Sequence, residues 1–287
     1  MKYNKEKILL QYQGENIMNI EINGVTLNYK IEGNGHPVYF FHGNGVDLTS
    51  NYEMYDDIFS NYQRIYLDIP GMGESEADLG LNSTNDILDV VLGFIEEMTG
   101  DVQIILVGHS YGSYMCLGVM DRLQSQVKAG FITCPVVEGQ KHLRTIEKLD
   151  RQIDETFEVT DDKTYYKDYL SMTVRINQET WELFRRLMVP GIKRANNPFM
   201  QNLRRQDNAF YQFRCEDNIQ IHKDTLVYVL LGQYDNVVGY KDQIRFFEPK
   251  EHIETTILTN TGHNPMIDAY NEVRRLARKF VSQVDEK

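Results

Sequence analysis

The chain has 287 residues, 41% hydrophobic and 25% charged, with only 7 prolines and no biased tract, a balance that excludes a disordered or fibrous protein. Acidic residues outnumber basic ones 42 to 30, for a formal net charge of -12, and with no Lys/Arg run to neutralise a phosphate backbone, nucleic acid is not an expected partner. The same charge would weakly repel an anionic substrate at long range, although groups inside a pocket override it within a Debye length.

Residues 1–17 read as a polar N-terminal extension. Its apolar run, Ile8 to Leu10, is too short for a signal-peptide core, and no later stretch is long enough for a membrane span. The expected compartment is the cytoplasm. Cys116, Cys134 and Cys215 are odd in number and widely spaced, which suits reduced thiols better than a disulfide framework or a zinc site. A homo-oligomer is compatible with the sequence.

From Ile17 to Ile31 two alternating stretches flank Asn23-Gly24, the strongest short signal for a β-hairpin. Beyond Gly33-Asn34-Gly35 the pattern changes to continuous apolar runs at 38–43, 64–69, 102–108, 128–134, 225–232 and 252–258. Such runs belong to parallel strands buried on both faces. Helical spacing at 83–98, 110–123, 241–247 and 266–284 alternates with them, so the chain is expected to form an α/β, doubly wound, mostly parallel sheet of eight strands. The rhythm breaks from about 136 to 222, where helical spacing replaces strand spacing. That stretch is expected to be an inserted helical cap, leaving 18–135 and 223–287 as the core.

Gly108-His109-Ser110-Tyr111-Gly112 fits G-x-S-x-G where a strand gives way to a helix, the setting of a nucleophile elbow. A serine in a strained turn stands clear of the sheet, and glycine on either side lets strand and helix approach closely. The helix that starts here directs free N–H groups at developing negative charge, which makes Tyr111 N–H an oxyanion donor. The plain alternative is that Ser110 caps the helix. Upstream, His42-Gly43-Asn44-Gly45 follows the strand at 38–41 and can aim a second donor, assigned to Asn44 N–H, at the same oxygen. Gly45 N–H or the Asn44 side chain could substitute, and His42 itself reads as a buried brace.

A serine nucleophile needs a base. Of the seven histidines, His263 fits best, between Gly262 and Pro265 after the last strand. His36, His142, His222 and His252 lie in polar surroundings, and His109 should point back into the fold. Asp235, just beyond the strand at 225–232, is the expected carboxylate partner. Its alternatives are a helix-capping role for Asp235 itself and Glu138 as the third member.

The chain resembles the α/β-hydrolase fold superfamily, specifically its capped serine hydrolases, through HGNG, GHSYG, the Asp235 turn and the Gly262-His263 pair. The order Ser110, Asp235, His263 is that of the family triad. The stretch 68–75, DIPGMGES, is similar to a turn of the capped members, in which Asp68, Gly71, Gly73 and Ser75 are structural. The nucleophile is Ser110 where haloalkane dehalogenases and epoxide hydrolases carry Asp, and Asn44 and Val46 depart from the HGGPG loop of proline iminopeptidases.

The resemblance implies a small-molecule substrate with an acyl group, an ester or thioester cleaved through an acyl-enzyme, with no metal or organic cofactor. Carbon–carbon bond hydrolysis, lyase or aminopeptidase chemistry, and a non-catalytic ligand-binding receptor on the same fold are the alternatives. In the cap, Phe157, Tyr165, Tyr166, Tyr169, Trp181, Phe184, Phe199 and Phe210 are available either to line an apolar pocket or to pack the cap onto the core.

Overall fold

A computed structural model describes residues 17–77, 80–205 and 210–286. The expected N-terminal extension lies outside these residues, except for Ile17, which begins the first strand. β1 (Ile17–Ile22) and β2 (Val25–Glu32) pair antiparallel, and Asn23 (φ 54°) and Gly24 (φ 82°) between them both take left-handed geometry. Two consecutive positive φ angles are the signature of the type I′ turn that Asn-Gly favours.

The chain then alternates strand and helix through β3 (Pro37–Phe41), α1 (Thr49–Tyr55), β4 (Gln63–Leu67), α2 (Thr84–Thr99), β5 (Ile104–His109), α3 (Tyr111–Leu123) and β6 (Val127–Thr133). α1 has no counterpart in the sequence reading. β3 to β6 are hydrophobic on both faces, and their side chains divide by parity. Tyr39, Phe41, Ile65, Leu67, Ile104 and Leu106 join one buried cluster with α2 and α3, whereas Val38, Phe40, Tyr66, Ile105 and Val107 join another on the opposite face. Covering both faces with helices is why the runs read as continuous rather than alternating.

Between β6 and the next sheet strand lie β7 (Gln152–Ile153), α4 (Tyr166–Met172), β8 (Arg175–Ile176), α5 (Gln178–Leu187), α6 (Val189–Arg194) and α7 (Asn197–Leu203). α5 opens with a capping box in which the Asn177 side chain accepts from Thr180 N and the Thr180 side chain accepts from Asn177 N. Its inner face carries Trp181 and Phe184, stacked at 5.8 Å and 13°, with Tyr169 of α4 set edge-on to both. These rings belong to the buried cluster on the second face of the sheet.

The chain returns through β9 (Leu226–Gly232), α8 (Tyr240–Phe247), β10 (Ile253–Leu258), α9 (Pro265–Asp268) and α10 (Tyr270–Glu286). The eight-stranded sheet has the order β1-β2-β4-β3-β5-β6-β9-β10, parallel from β4 onward. Two expectations need correcting. β10, read as buried on both faces, is the edge strand, with Glu254, Thr255 and Ile257 exposed. The helix expected at 266–284 is two helices, broken at Ala269 (φ −135°), because backbone N–H groups of Gly262, Val174 and Arg175 hold the Asp268 carboxylate and fix α9 separately. Among the described residues, no helix is long and apolar enough to cross a membrane.

Candidate active site

Ser110 sits between the end of β5 and the start of α3 with φ 54° and ψ −117°, a conformation that costs an L-residue on the order of 1–3 kcal/mol and persists only where its surroundings hold it. The hold is visible. Ser110 N donates to Thr133 O at 2.9 Å, and Ser113 Oγ bridges Thr133 N and Thr133 O at 3.1 and 3.0 Å, tying the turn to β6. A Cβ on Gly112 would lie 2.0 Å from Phe41 O, and one on Gly108 would lie 2.7 Å from Cys116 Sγ, so only glycine permits this closeness of α3 to β3 and β5.

The Ser110 side chain makes no helix-capping bond. Its Oγ lies 2.8 Å from His263 Nε2, and His263 Nδ1 lies 2.9 Å from Asp235 Oδ2. In the neutral imidazole this pairing puts the proton on Nδ1, donated to Asp235, and leaves Nε2 to accept from the serine hydroxyl. The turn after β9 and the loop bearing His263 are pressed together, since a Cβ on Gly232 would lie 2.0 Å from Gly262 O and Tyr234 N donates to Thr261 O.

Asp235 is buried, and its other oxygen accepts from Val237 N and Val238 N at 2.9 and 3.0 Å. Burial pushes its carboxyl up, but the His263 imidazole and these two N–H groups outweigh it and hold the group below the usual carboxylate range. Glu138, the other carboxylate considered, instead accepts from Gln140 N at 2.8 Å.

Tyr111 is the first residue of α3, so its N–H has no acceptor within the helix. Its buried hydroxyl donates to Thr84 Oγ1 at 3.1 Å. Asn44 lines the same cavity as Ser110, and its N–H finds no backbone or side-chain acceptor among the described residues. Ile69 N donates to His42 Nε2 at 3.0 Å, which leaves Nδ1–H to donate to Gly43 O at 2.8 Å. His42 therefore braces the loop. Asp68 holds the neighbouring turn, accepting from Asn28 Nδ2, Leu48 N and Glu74 N.

His109 points inward, with Nδ1 3.0 Å from Thr133 Oγ1 and Nε2 3.1 Å from Asn264 Oδ1. Burial, reinforced by His263, pushes its imidazole down to about 3, so it stays neutral beside the base. Cys134, Asp235 and His263 offer ligand atoms within 4.8 Å of one another. Both His263 nitrogens are already engaged, however, and burial followed by the Asp235 charge holds the Cys134 thiol protonated, so the group is poorly suited to a metal.

Ser110 opens into a cavity of about 410 Å³, within the range of small-ligand sites. None of the eight aromatics from the 136–222 stretch that the sequence offered either as lining or as packing reaches it; Tyr211 does, alongside Lys141, Arg144, Arg204 and Gln212. His142, which the sequence placed in polar surroundings, is exposed and lines this cavity. Asn264, which follows His263 directly, also lines it.

A family model described as alpha/beta hydrolase fold matches residues 36–280. A solved structure of an alpha/beta superfamily hydrolase from Oenococcus oeni PSU-1 superposes with a TM-score of 0.84 at 30% identity, covering 93% of this chain and 99% of that one. The AB hydrolase superfamily protein YclE of Bacillus subtilis is 24% identical over 287 aligned residues, 91% of this chain and 96% of that protein. Over 98 residues, 34% of this chain and 36% of the other, there is 33% identity to the (E)-2-((N-methylformamido)methylene)succinate hydrolase of Acinetobacter baylyi.

Proposed function

The chain belongs to the alpha/beta hydrolase fold family, and on that premise we propose that it is a serine hydrolase that cleaves a small carboxylic ester or thioester through an acyl-enzyme on Ser110. The observation that carries this reading is the continuous contact from Ser110 Oγ through the His263 imidazole to the Asp235 carboxylate.

In the proposed reaction Ser110 Oγ attacks the carbonyl carbon as its proton passes to His263 Nε2. Charge developing on the carbonyl oxygen is received by the N–H groups of Asn44 and Tyr111, and the imidazolium is stabilised by Asp235. Collapse breaks the bond to the leaving alcohol or thiol, which takes the proton from His263. A water molecule, deprotonated by His263, then attacks the acyl carbon, and the Ser110 Oγ–acyl bond breaks as Oγ takes the proton back from His263, which releases the acid and restores the serine hydroxyl. Residues 136–222 are assigned as the cap, since Arg144, Met172, Met188, Arg204 and Tyr211 from this stretch face Ser110 across the cavity.

The test is labelling by a serine-directed fluorophosphonate, with Ser110→Ala as control. Label on the wild type that disappears in the variant is the expected result. A folded wild type that takes no label refutes the hydrolase reading and favours a binding protein on the same fold.

A further inference from the structure

The composition of the cavity wall is opposite to that of the chain. The protein carries 42 acidic residues against 30 basic, yet among the described residues Lys141, Arg144, Arg204 and Arg205 line the space in front of Ser110 and no Asp or Glu does.

Arg144 is half-buried, and its guanidinium donates to three backbone carbonyls, Glu138 O at 2.8 Å and Val237 O and Gly139 O at 3.3 Å. Arg204 donates to Met200 O and, through Nη2, to Asn44 Oδ1 at 3.2 Å. Neither forms an ion pair among the described residues, whereas Arg64, Arg185, Arg194 and Arg274 each face a carboxylate. Two described acids of the neighbouring segments have other partners. Glu138 accepts from Gln140 N, and Glu216 accepts from the Tyr114 hydroxyl, Gly139 N and Gln212 Nε2.

Neutral carbonyl and amide oxygens orient a guanidinium without cancelling its charge, so, among the described residues, the half-buried Arg144 and the exposed Arg204 both present positive charge to the cavity with no carboxylate paired to it. Their fields converge. Burial raises the Tyr211 hydroxyl, Arg144 and Arg204 both act to lower it, and the Tyr211 ring lies 5.6 Å from the Arg144 guanidinium. Glu216 links the Tyr114 hydroxyl on α3 to Gly139 N, which anchors the backbone that positions Arg144 and makes the charge preorganised.

Resting on the serine-hydrolase reading above, we infer that the substrate carries a free carboxylate remote from its scissile carbonyl, as in a monoester of a short dicarboxylic acid, and that Arg144 and Arg204 bind that carboxylate. The long-range repulsion expected from the net charge is thereby reversed inside the pocket, where the local cations lie within a Debye length of the bound substrate and dominate.

The experiment compares mono-para-nitrophenyl glutarate with its neutral methyl ester. The wild type is expected to favour the free acid by about tenfold or more in kcat/KM, a charge-assisted contact realised on one substrate only. In Arg204→Gln the ratio should collapse toward one, Arg204→Lys should restore part of it, and rising ionic strength should lower it in the wild type. Arg204 is exposed, so its variants are expected to fold even if those of Arg144 do not. A wild type that takes the fluorophosphonate label and, in its unlabelled form, hydrolyses the neutral ester equally well, or a ratio unmoved in Arg204→Gln, overturns the inference while leaving the hydrolase reading standing. Binding is tested without turnover by calorimetry on Ser110→Ala with monomethyl and dimethyl glutarate. Tighter binding of the monoanion supports the inference, and equal binding, tighter binding of the diester or no binding of the monoanion overturns it.

Discussion

His263 Nδ1 lies 2.9 Å from Asp235 Oδ2, and this contact fixes which imidazole nitrogen faces Ser110. Replacing the carboxylate by an amide removes the acceptor that selects the tautomer. Asp235→Asn should lower kcat by roughly 10⁴-fold while preserving the fold. Glu138→Gln should change kcat by less than about tenfold, because Glu138 faces Gln140 N rather than the imidazole. Steady-state rates on one activated ester check both, and comparable losses in the two variants would refute the assignment of Asp235.

The elbow glycines should differ sharply from the hairpin glycine. Gly112→Ala sets a methyl group 2.0 Å from Phe41 O, so α3 must shift, at a cost of roughly 3 kcal/mol or more and with loss of activity. At Gly24 a Cβ meets nothing within 4 Å and only the φ of +82° opposes it. Gly24→Ala should therefore cost about 1–2 kcal/mol and leave activity intact. Urea unfolding of the two variants provides the comparison.

His109 should make the fold acid-sensitive. Its folded-state imidazole is pushed down to about 3 from an ordinary 6.5, so between these values the unfolded chain binds a proton that the folded chain does not. Stability from this group is fully present above pH 6.5 and is lost as the pH falls, by about 1.4 kcal/mol per unit. Urea unfolding of the wild type and His109→Gln should diverge as the pH is lowered from 6.5, with the variant losing less. Parallel curves would show that His109 is not buried in its neutral form.

Trp181 is buried, stacked on Phe184 and edge-on to Tyr169. Trp181→Ala should destabilise the protein by about 3–5 kcal/mol. Because Trp181 does not line the cavity, the effect should appear in the melting temperature, with kcat/KM retained by the folded fraction.

The features legible in the sequence are those set by local chemistry. Asn23-Gly24 fixes a turn type, the parity-independent apolar runs of β3 to β6 report helices on both faces, and Gly108 and Gly112 mark a close approach that only glycine permits. The chain order of Ser110, Asp235 and His263 carried the candidate site. The cavity wall was not legible. Arg204 is the residue that caps the end of α7 and Arg144 lies outside the helices and strands described, its position depending on distant contacts such as Tyr114 with Glu216. Composition left the cap aromatics free to line the pocket or to pack onto the core, and Trp181 and Phe184, on one face of α5, pack. β10 read as buried because edge and centre strands share a composition, and only the sheet order distinguishes them.

The proposed chemistry depends on a covalent bond to one oxygen. The wild type should be acid-quenched during turnover of an activated ester, digested, and its peptides weighed by mass spectrometry. The expected result is the acyl group on the peptide containing Ser110, accumulating further when His263 is replaced by a residue unable to activate water in an enzyme acylated by a highly activated ester. Turnover with no acyl adduct on Ser110, or an adduct on another residue with Ser110→Ala still active, would contradict it.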